Sequence, residues 1–140
     1  MNLPKIKFCY MHWVEGYSWE HTGVYDYIQK LIEKYGRYDD CETMEDIKIR
    51  YKKLDEVFEQ IKKEKKIKPS KELNNTNFRE SSGIFIHIGK NGEPFLGDGG
   101  NHRFAIAKIL NITFPAQIGF VHKSGIKHLK KYRKNPFLQK

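Results

Sequence analysis

Two stretches in the first half of the chain repeat apolar residues at helical spacing. The first presents one apolar face made of Val24, Tyr27, Ile28, Leu31, Ile32 and Tyr35. Thr22 fits the N-cap of this helix and Gly36 fits its stop signal. The second begins at Thr43, with Asp46 at the capping-box position, and presents Met44, Ile47, Tyr51, Leu54, Phe58 and Ile61. This stripe is typical of a helix packed against a core or, as the alternative, of a short coiled-coil seam.

The second half of the chain combines strand patterns with one apolar helix pattern. An apolar run at 83–89, an Asn91-Gly92 turn and the returning segment Pro94–Leu96 predict a β-hairpin. Alternation along the first strand turns His87 away from its isoleucine neighbours. Asn101–Leu110 is apolar almost all round, which predicts a buried helix, and residues 114–121 predict another strand.

This order of elements predicts an α+β fold with a small mixed sheet, a hairpin and two N-terminal amphipathic helices. The length of 140 residues suits one domain, 1–140. Within it we expect an irregular aromatic segment at 1–21 and a helical part at 22–66. A core at 78–122 and a basic tail at 123–140 complete the expected organisation.

The net charge of +9 narrows the classes of partner. It favours a polyanion such as nucleic acid or a nucleotide, although a general bias of the composition toward lysine would produce the same charge. The two cysteines, Cys9 and Cys41, lack metal-ligand spacing, and no apolar run approaches the ~20 residues of a membrane span. We therefore expect a reduced cytoplasmic protein without a membrane partner.

A glycine-rich turn, Gly-Asp-Gly-Gly-Asn-His-Arg at 97–103, joins the returning strand to the buried helix. The first amides of a helix lack intrahelical acceptors, and the helix dipole attracts negative charge there. Because glycines let an anion approach the main chain, the turn predicts an anion site. Arg103 has the planar donors that grip a phosphate, and His102 can exchange a proton near neutral pH. The alternative is structural: glycines for chain reversal, with Arg103 paired to Asp98.

Four segments of the chain match, in the same order, the elements of a known superfamily. They are Leu-Asp-Glu-Val-Phe-Glu-Gln-Ile (54–61), Gly-Ile-Phe-Ile-His-Ile (83–88), Gly-Asp-Gly-Gly-Asn-His-Arg (97–103) and Phe-Pro-Ala-Gln-Ile-Gly-Phe-Val (114–121). Together they resemble the ParB/sulfiredoxin-like superfamily, which has a helix, a hairpin, a G-x-H-R turn, a helix and a strand. The residues matching that turn are Gly100, Asn101, His102 and Arg103. Asp98 and Gly99 match the acidic start of the turn in some members, with one extra glycine between.

The resemblance implies a mixed α/β fold of the ParB/sulfiredoxin-like type, with a phosphate or nucleotide at the turn. Members use it for nucleotide hydrolysis in DNA segregation, phosphoryl transfer from a nucleotide, sulfinic-acid reduction or claimed nuclease activity. The expected phosphate ligands are Gly97, Gly99, Gly100, Asn101 and Arg103, with Arg79 as a second arginine. His102 is expected to assist catalysis, and Glu80 or Asp98 to act as the base. Mg²⁺ is expected only alongside a nucleoside triphosphate.

Two departures from the superfamily pattern narrow the expected chemistry. Sulfiredoxin has a catalytic cysteine just before His-Arg, where this chain has Asn101, and an amide cannot supply a thiolate. ParB has Glu-Arg-Arg and a later helix-turn-helix domain, for which this chain ends too soon. The expected ligand is thus a nucleotide or phosphorylated small molecule. The alternative is a nucleic-acid-binding module or ParB-like nuclease that uses the basic, aromatic tail at 123–140.

Overall fold

The computed structural model describes residues 3–68, 84–97 and 99–130, which fall into two compact units, Met1–Lys65 and Lys66–Lys140. The described part of the first unit is helical: α1 (Pro4–Trp13), α2 (Trp19–Thr22), α3 (Val24–Tyr35) and α4 (Met44–Glu64). The second unit contains β1 (Ile84–Ile88), β2 (Pro94–Leu96), α5 (Asn101–Leu110), β3 (Ala116–Val121) and a 3-10 helix (Lys123–His128). The fold class is α+β, as the sequence predicts.

The expectation of an irregular segment at 1–21 is wrong, because α1 and α2 lie within it. Pro4 starts α1 at a position where its missing N–H costs nothing. Cys9 is the one residue of α1 that is completely buried. Ser18 caps α2 by accepting a hydrogen bond from the amide of His21. These are local signals, but they lie in a segment without helical periodicity.

The carboxylate of Asp55 on α4 organises the aromatic residues of α1 and α2. Its oxygens accept hydrogen bonds from the indole N–H groups of Trp13 and Trp19, each at 3.0 Å. His12 Nε2 lies 3.0 Å from the same carboxylate, and His12 Nδ1 lies 2.5 Å from the carbonyl oxygen of Tyr17. Both ring nitrogens of His12 therefore lie within hydrogen-bond distance of an oxygen atom, one of Asp55 and one of Tyr17. A polar anchor thus holds the tryptophans in place.

The two predicted amphipathic helices are confirmed as α3 and α4. Gly36 ends α3 as expected, but its N-cap is Gly23, since Thr22 closes α2. The capping box of α4 is complete: Thr43 accepts from the amide of Asp46, and Asp46 accepts from the amide of Thr43. Hydrogen bonds from the Glu42 amide, then from the hydroxyl and amide of Thr43, lower the pKa of Asp46.

The second unit is built on a three-stranded mixed sheet with the order β2-β1-β3. β1 pairs antiparallel with β2, which confirms the hairpin, and parallel with β3. α5 connects β2 to β3 and contacts β1, and it buries Ala105, Ile106 and Ala107, as the sequence predicts. The 3-10 helix covers only the first part of the predicted basic tail, and residues 131–140 lie outside the described part. None of the helices in the described ranges is long and apolar enough to span a bilayer.

Replacing Asp55 with alanine should destabilise the first unit, because the substitution removes the shared acceptor of two indoles and one imidazole. We expect the free energy of unfolding to fall by about 1–3 kcal/mol, toward the lower end because the carboxylate is partly exposed. Urea denaturation followed by tryptophan fluorescence measures the change. Glu59→Ala, an exposed acid on the same helix, is the matched control. Equal stability of the two variants would contradict the role of Asp55.

Candidate functional site

The glycine-rich turn begins where β2 leaves the sheet. The amide of Gly97 still donates to the carbonyl of Phe85 at 2.8 Å, so the turn starts at the edge of the hairpin. Gly100 has a φ of 76°, a left-handed conformation that favours glycine, and it is the N-cap of α5. A glycine at the cap has no side chain to accept the first helix amides. The predicted order of strand, turn and helix is therefore confirmed.

Packing against Phe85 supplies a structural reason for two of the glycines in the turn. A Cβ atom at Gly97 would lie 3.1 Å from the Cβ of Phe85, and one at Gly99 would lie 3.0 Å from its ring. These distances are shorter than ordinary van der Waals contact, so a side chain at either position would have to displace Phe85. The close approach of Phe85 thus favours glycine at both positions for a structural reason that is independent of any ligand.

α5 places its first polar residues in different environments. His102 is 4% exposed and Arg103 is 5% exposed, and both are engaged by other groups of the protein. Their side chains are therefore not presented to solvent as an open phosphate clamp. Asn101 is half-buried, and its buried Oδ1 has no hydrogen-bond partner among the described residues. An acceptor in that position is costly unless a donor reaches it.

Three predicted site residues lie outside the described residues: Arg79, Glu80 and Asp98. The expected approach of Arg79 and Glu80 to the turn is therefore still a prediction, as is the pairing of Asp98 with Arg103. The structure brings together Gly97, Gly99, Gly100, Asn101, His102 and Arg103, which are contiguous at the end of β2 and the start of α5.

The side chain of His87, which is on the central strand β1, lies between Gly97 and Gly119. A Cβ atom at Gly119 would lie 2.7 Å from the Cε1 and Nδ1 atoms of His87, and one at Gly97 would lie 2.9 Å from Nε2. The imidazole Nδ1 accepts a hydrogen bond from the amide of Phe120 at 2.9 Å. This bond occurs at an irregularity in the β1–β3 pairing between Ile86 and Ile88. In the neutral ring the proton is then on Nε2, the atom that faces Gly97.

The other groups considered for chemistry have structural roles in the described residues. The His122 side chain caps the 3-10 helix by accepting from the amide of Ser124 at 3.1 Å. Burial raises the pKa of the Cys41 thiol, which disfavours its reactive thiolate. No group of three or more His, Cys, Asp or Glu side chains suited to a metal ion occurs within 3–68, 84–97 and 99–130.

The described elements thus define an α+β protein with a helix N-terminus and a glycine-rich turn at the edge of a mixed sheet. Comparisons with protein-family models, with curated proteins and with solved structures return no match for this chain.

Introducing a methyl group with Gly119→Ala should destabilise the second unit by about 1–3 kcal/mol, since it forces the imidazole of His87 away from the Phe120 amide. Chemical denaturation of the variant measures the cost. The same substitution in a His87→Ala background is the control, because the smaller side chain leaves room for the methyl group. A cost that is the same in both backgrounds would show that His87 does not impose this glycine.

Proposed function

We propose that the chain binds the phosphate group of a nucleotide or phosphorylated small molecule at the start of α5. The observation that carries this proposal is the N-terminus of α5, where Gly100 has no side chain and no side chain of the described residues caps the helix. Helix N-termini of this kind bind anions through their amides and through the helix dipole. The resemblance of residues 97–103 to the ParB/sulfiredoxin-like turn points to the same ligand class.

The side chains around this helix start fit a phosphorylated ligand that also has a hydrogen-bond donor. Asn101 offers a buried Oδ1 without a partner among the described residues, which a ribose or phosphate hydroxyl would satisfy. Arg103 is buried in the first turn of α5, so in this proposal its charge attracts the anion without an open bidentate contact. His102 is equally buried and would hold the helix start in shape.

A reaction at this site, either phosphoryl transfer or nucleotide hydrolysis, would require groups beyond those that bind phosphate. Glu80 and Asp98 are the bases that the sequence predicts, and Mg²⁺ would accompany a triphosphate. The proposal therefore concerns binding first, with hydrolysis as the reaction to assay once a ligand is found.

Asn101→Asp should abolish phosphate binding without harming the fold. The new carboxylate is nearly isosteric, and the helix dipole stabilises it, yet it repels an incoming phosphate. For the wild type we expect ATP, AMP or inorganic phosphate, with or without Mg²⁺, to raise the melting temperature. The stabilisation is about 2.7 kcal/mol at a ligand concentration of about 100 times Kd. Differential scanning fluorimetry measures the rise.

Asn111→Asp is the matched control, because it adds the same charge at the other end of α5. This control should keep the ligand-induced rise that Asn101→Asp loses. A wild-type protein that no phosphate compound stabilises would refute the proposal, as would an unchanged rise in Asn101→Asp.

A second candidate function, nucleic-acid binding, is favoured by how charge is distributed. The first unit, Met1–Lys65, has 12 Lys and Arg against 13 Asp and Glu, so its net charge is −1. The second unit, Lys66–Lys140, has 14 Lys and Arg against 4 Asp and Glu, so its net charge is +10. The whole excess of positive charge therefore belongs to the unit that contains the sheet and the glycine-rich turn.

Nucleic-acid binding through this charge should weaken steeply with salt. Each phosphate contact contributes about −0.7 to the slope of log K against log salt for a single strand and about −0.9 for a duplex. Fluorescence anisotropy with labelled oligonucleotides between about 50 and about 200 mM NaCl measures the slope. Absence of binding at the lowest salt, or a slope near zero, would exclude this candidate.

A further inference from the structure

One face of the sheet carries aromatic side chains instead of aliphatic ones. The register pairs His87 with Phe95 across β1 and β2, and Phe85 with Gln117 across β1 and β3. Residues paired in this way lie on the same face, and successive residues of a strand alternate between faces. We call the surface formed by Phe85, His87, Phe95 and Phe120 the aromatic face.

The opposite side of β1 has the character of a core. Ile84 and Ile88 point there by alternation, and they are 1% and 3% exposed. α5, which contacts β1, contributes the buried Ala105 and Ile106. The aliphatic side thus forms the core of this unit, and the aromatic face is the other side.

The aromatic face exposes large rings in an ordered arrangement. Phe120 is 83% exposed and Phe95 is 46% exposed. The ring centroids of His87 and Phe120 lie 5.3 Å apart, at an interplanar angle of 43°. The Phe120 ring is set beside the imidazole by the hydrogen bond from its own amide to His87 Nδ1. Clusters of exposed aromatic rings mark binding surfaces, because binding a partner there removes apolar surface from water.

The charge of the unit that contains this face indicates the kind of partner. Glu93 is the one acidic residue among the described residues 66–68, 84–97 and 99–130, and its carboxylate accepts from the Asn91 amide in the hairpin turn. The same ranges contain eight Lys and Arg residues. Exposed rings in a unit with this excess of basic residues are complementary to a ligand that has both bare aromatic faces and negative charge.

We propose that the aromatic face stacks the bases of a single-stranded nucleic acid. The bases of a duplex are already stacked on each other, whereas those of a single strand offer free π-faces to Phe120 and Phe95. In the neutral ring His87 adds an Nε2–H donor near the middle of the face.

The position of Phe85 links this inference to the proposed phosphate site. Its side chain lies against Gly97 and Gly99, so the aromatic face borders the glycine-rich turn. A strand whose phosphate lies at the Asn101 amide would have its neighbouring bases beside the face. This placement of the bases rests on the proposed phosphate binding, whereas stacking itself can be tested separately.

The test measures anisotropy of the full chain with four labelled probes of about 12 nucleotides: oligo(dT), oligo(U), an abasic chain of the same phosphate count, and a duplex. We expect both base-bearing single strands to bind more tightly than the abasic chain and the duplex. Phe120→Ala should weaken oligo(dT) binding by about 5- to 150-fold, the range for loss of one stacked base. Phe120→Tyr should retain binding, since its ring still stacks.

Two controls separate stacking from damage to the fold. Phe120 is so exposed that Phe120→Ala should leave the melting temperature unchanged. Tyr35→Ala removes a ring that is 61% exposed in the first unit, and it should leave oligonucleotide binding unchanged. An equal loss in Tyr35→Ala and Phe120→Ala would overturn the assignment to this face.

The remaining outcomes distinguish failure of stacking from failure of the phosphate site. If the abasic chain binds as tightly as oligo(dT) and Phe120→Ala binds normally, stacking is wrong and the phosphate site stands. If Phe120→Ala weakens binding but Asn101→Asp does not, the phosphate site is wrong and the face stands. If no oligonucleotide binds and Phe120→Ala instead abolishes self-association in sedimentation, the face is an interface between copies of the chain.

Discussion

The imidazole of His87 is the constraint on which the second unit depends. It sits on the central strand, and the strands on both sides must give it room at Gly97 and Gly119. Its Nδ1 accepts a hydrogen bond from the amide of Phe120. In regular strand pairing this amide would instead donate to a carbonyl oxygen of the neighbouring strand. The β1–β3 pairing is irregular at this point, and the Phe120 ring is left in solvent. The packing of this imidazole and its one polar contact thereby bear on where β2 ends, how β3 pairs and which ring the sheet exposes.

Local patterns in the sequence predict the elements whose stability is itself local. α3 and α4 follow from apolar spacing, and the start of α4 follows from Thr43 and Asp46, whose hydrogen bonds span three residues. The hairpin follows from Asn91-Gly92, since Gly92 adopts a φ of 80°. In each case the residues that determine the element are neighbours along the chain, so the pattern contains the necessary information.

The features that the sequence does not reveal depend on partners far along the chain. The indole rings at the end of α1 and the start of α2 are held by Asp55, which is 42 residues from Trp13 and 36 from Trp19. A charged residue on an amphipathic helix gives no sign that it will accept from two indoles. Likewise, nothing near Gly119 indicates that an imidazole 32 positions earlier will occupy the space of its missing side chain.

These distant contacts change what the glycines of the turn mean. From the sequence, Gly97 and Gly99 suggest a path for an anion, but the close approach of Phe85 and His87 already disfavours a side chain at either position. Glycine content is therefore weak support for a ligand, and the case for phosphate rests on the Gly100 cap, the Asn101 amide and its buried oxygen. The same contacts direct attention to the sheet, because Gly97, Gly99 and Gly119 lie against the side chains of Phe85 and His87 on the aromatic face. In a unit of charge +10, the exposed rings of that face favour a ligand with both planar bases and phosphates over phosphate alone.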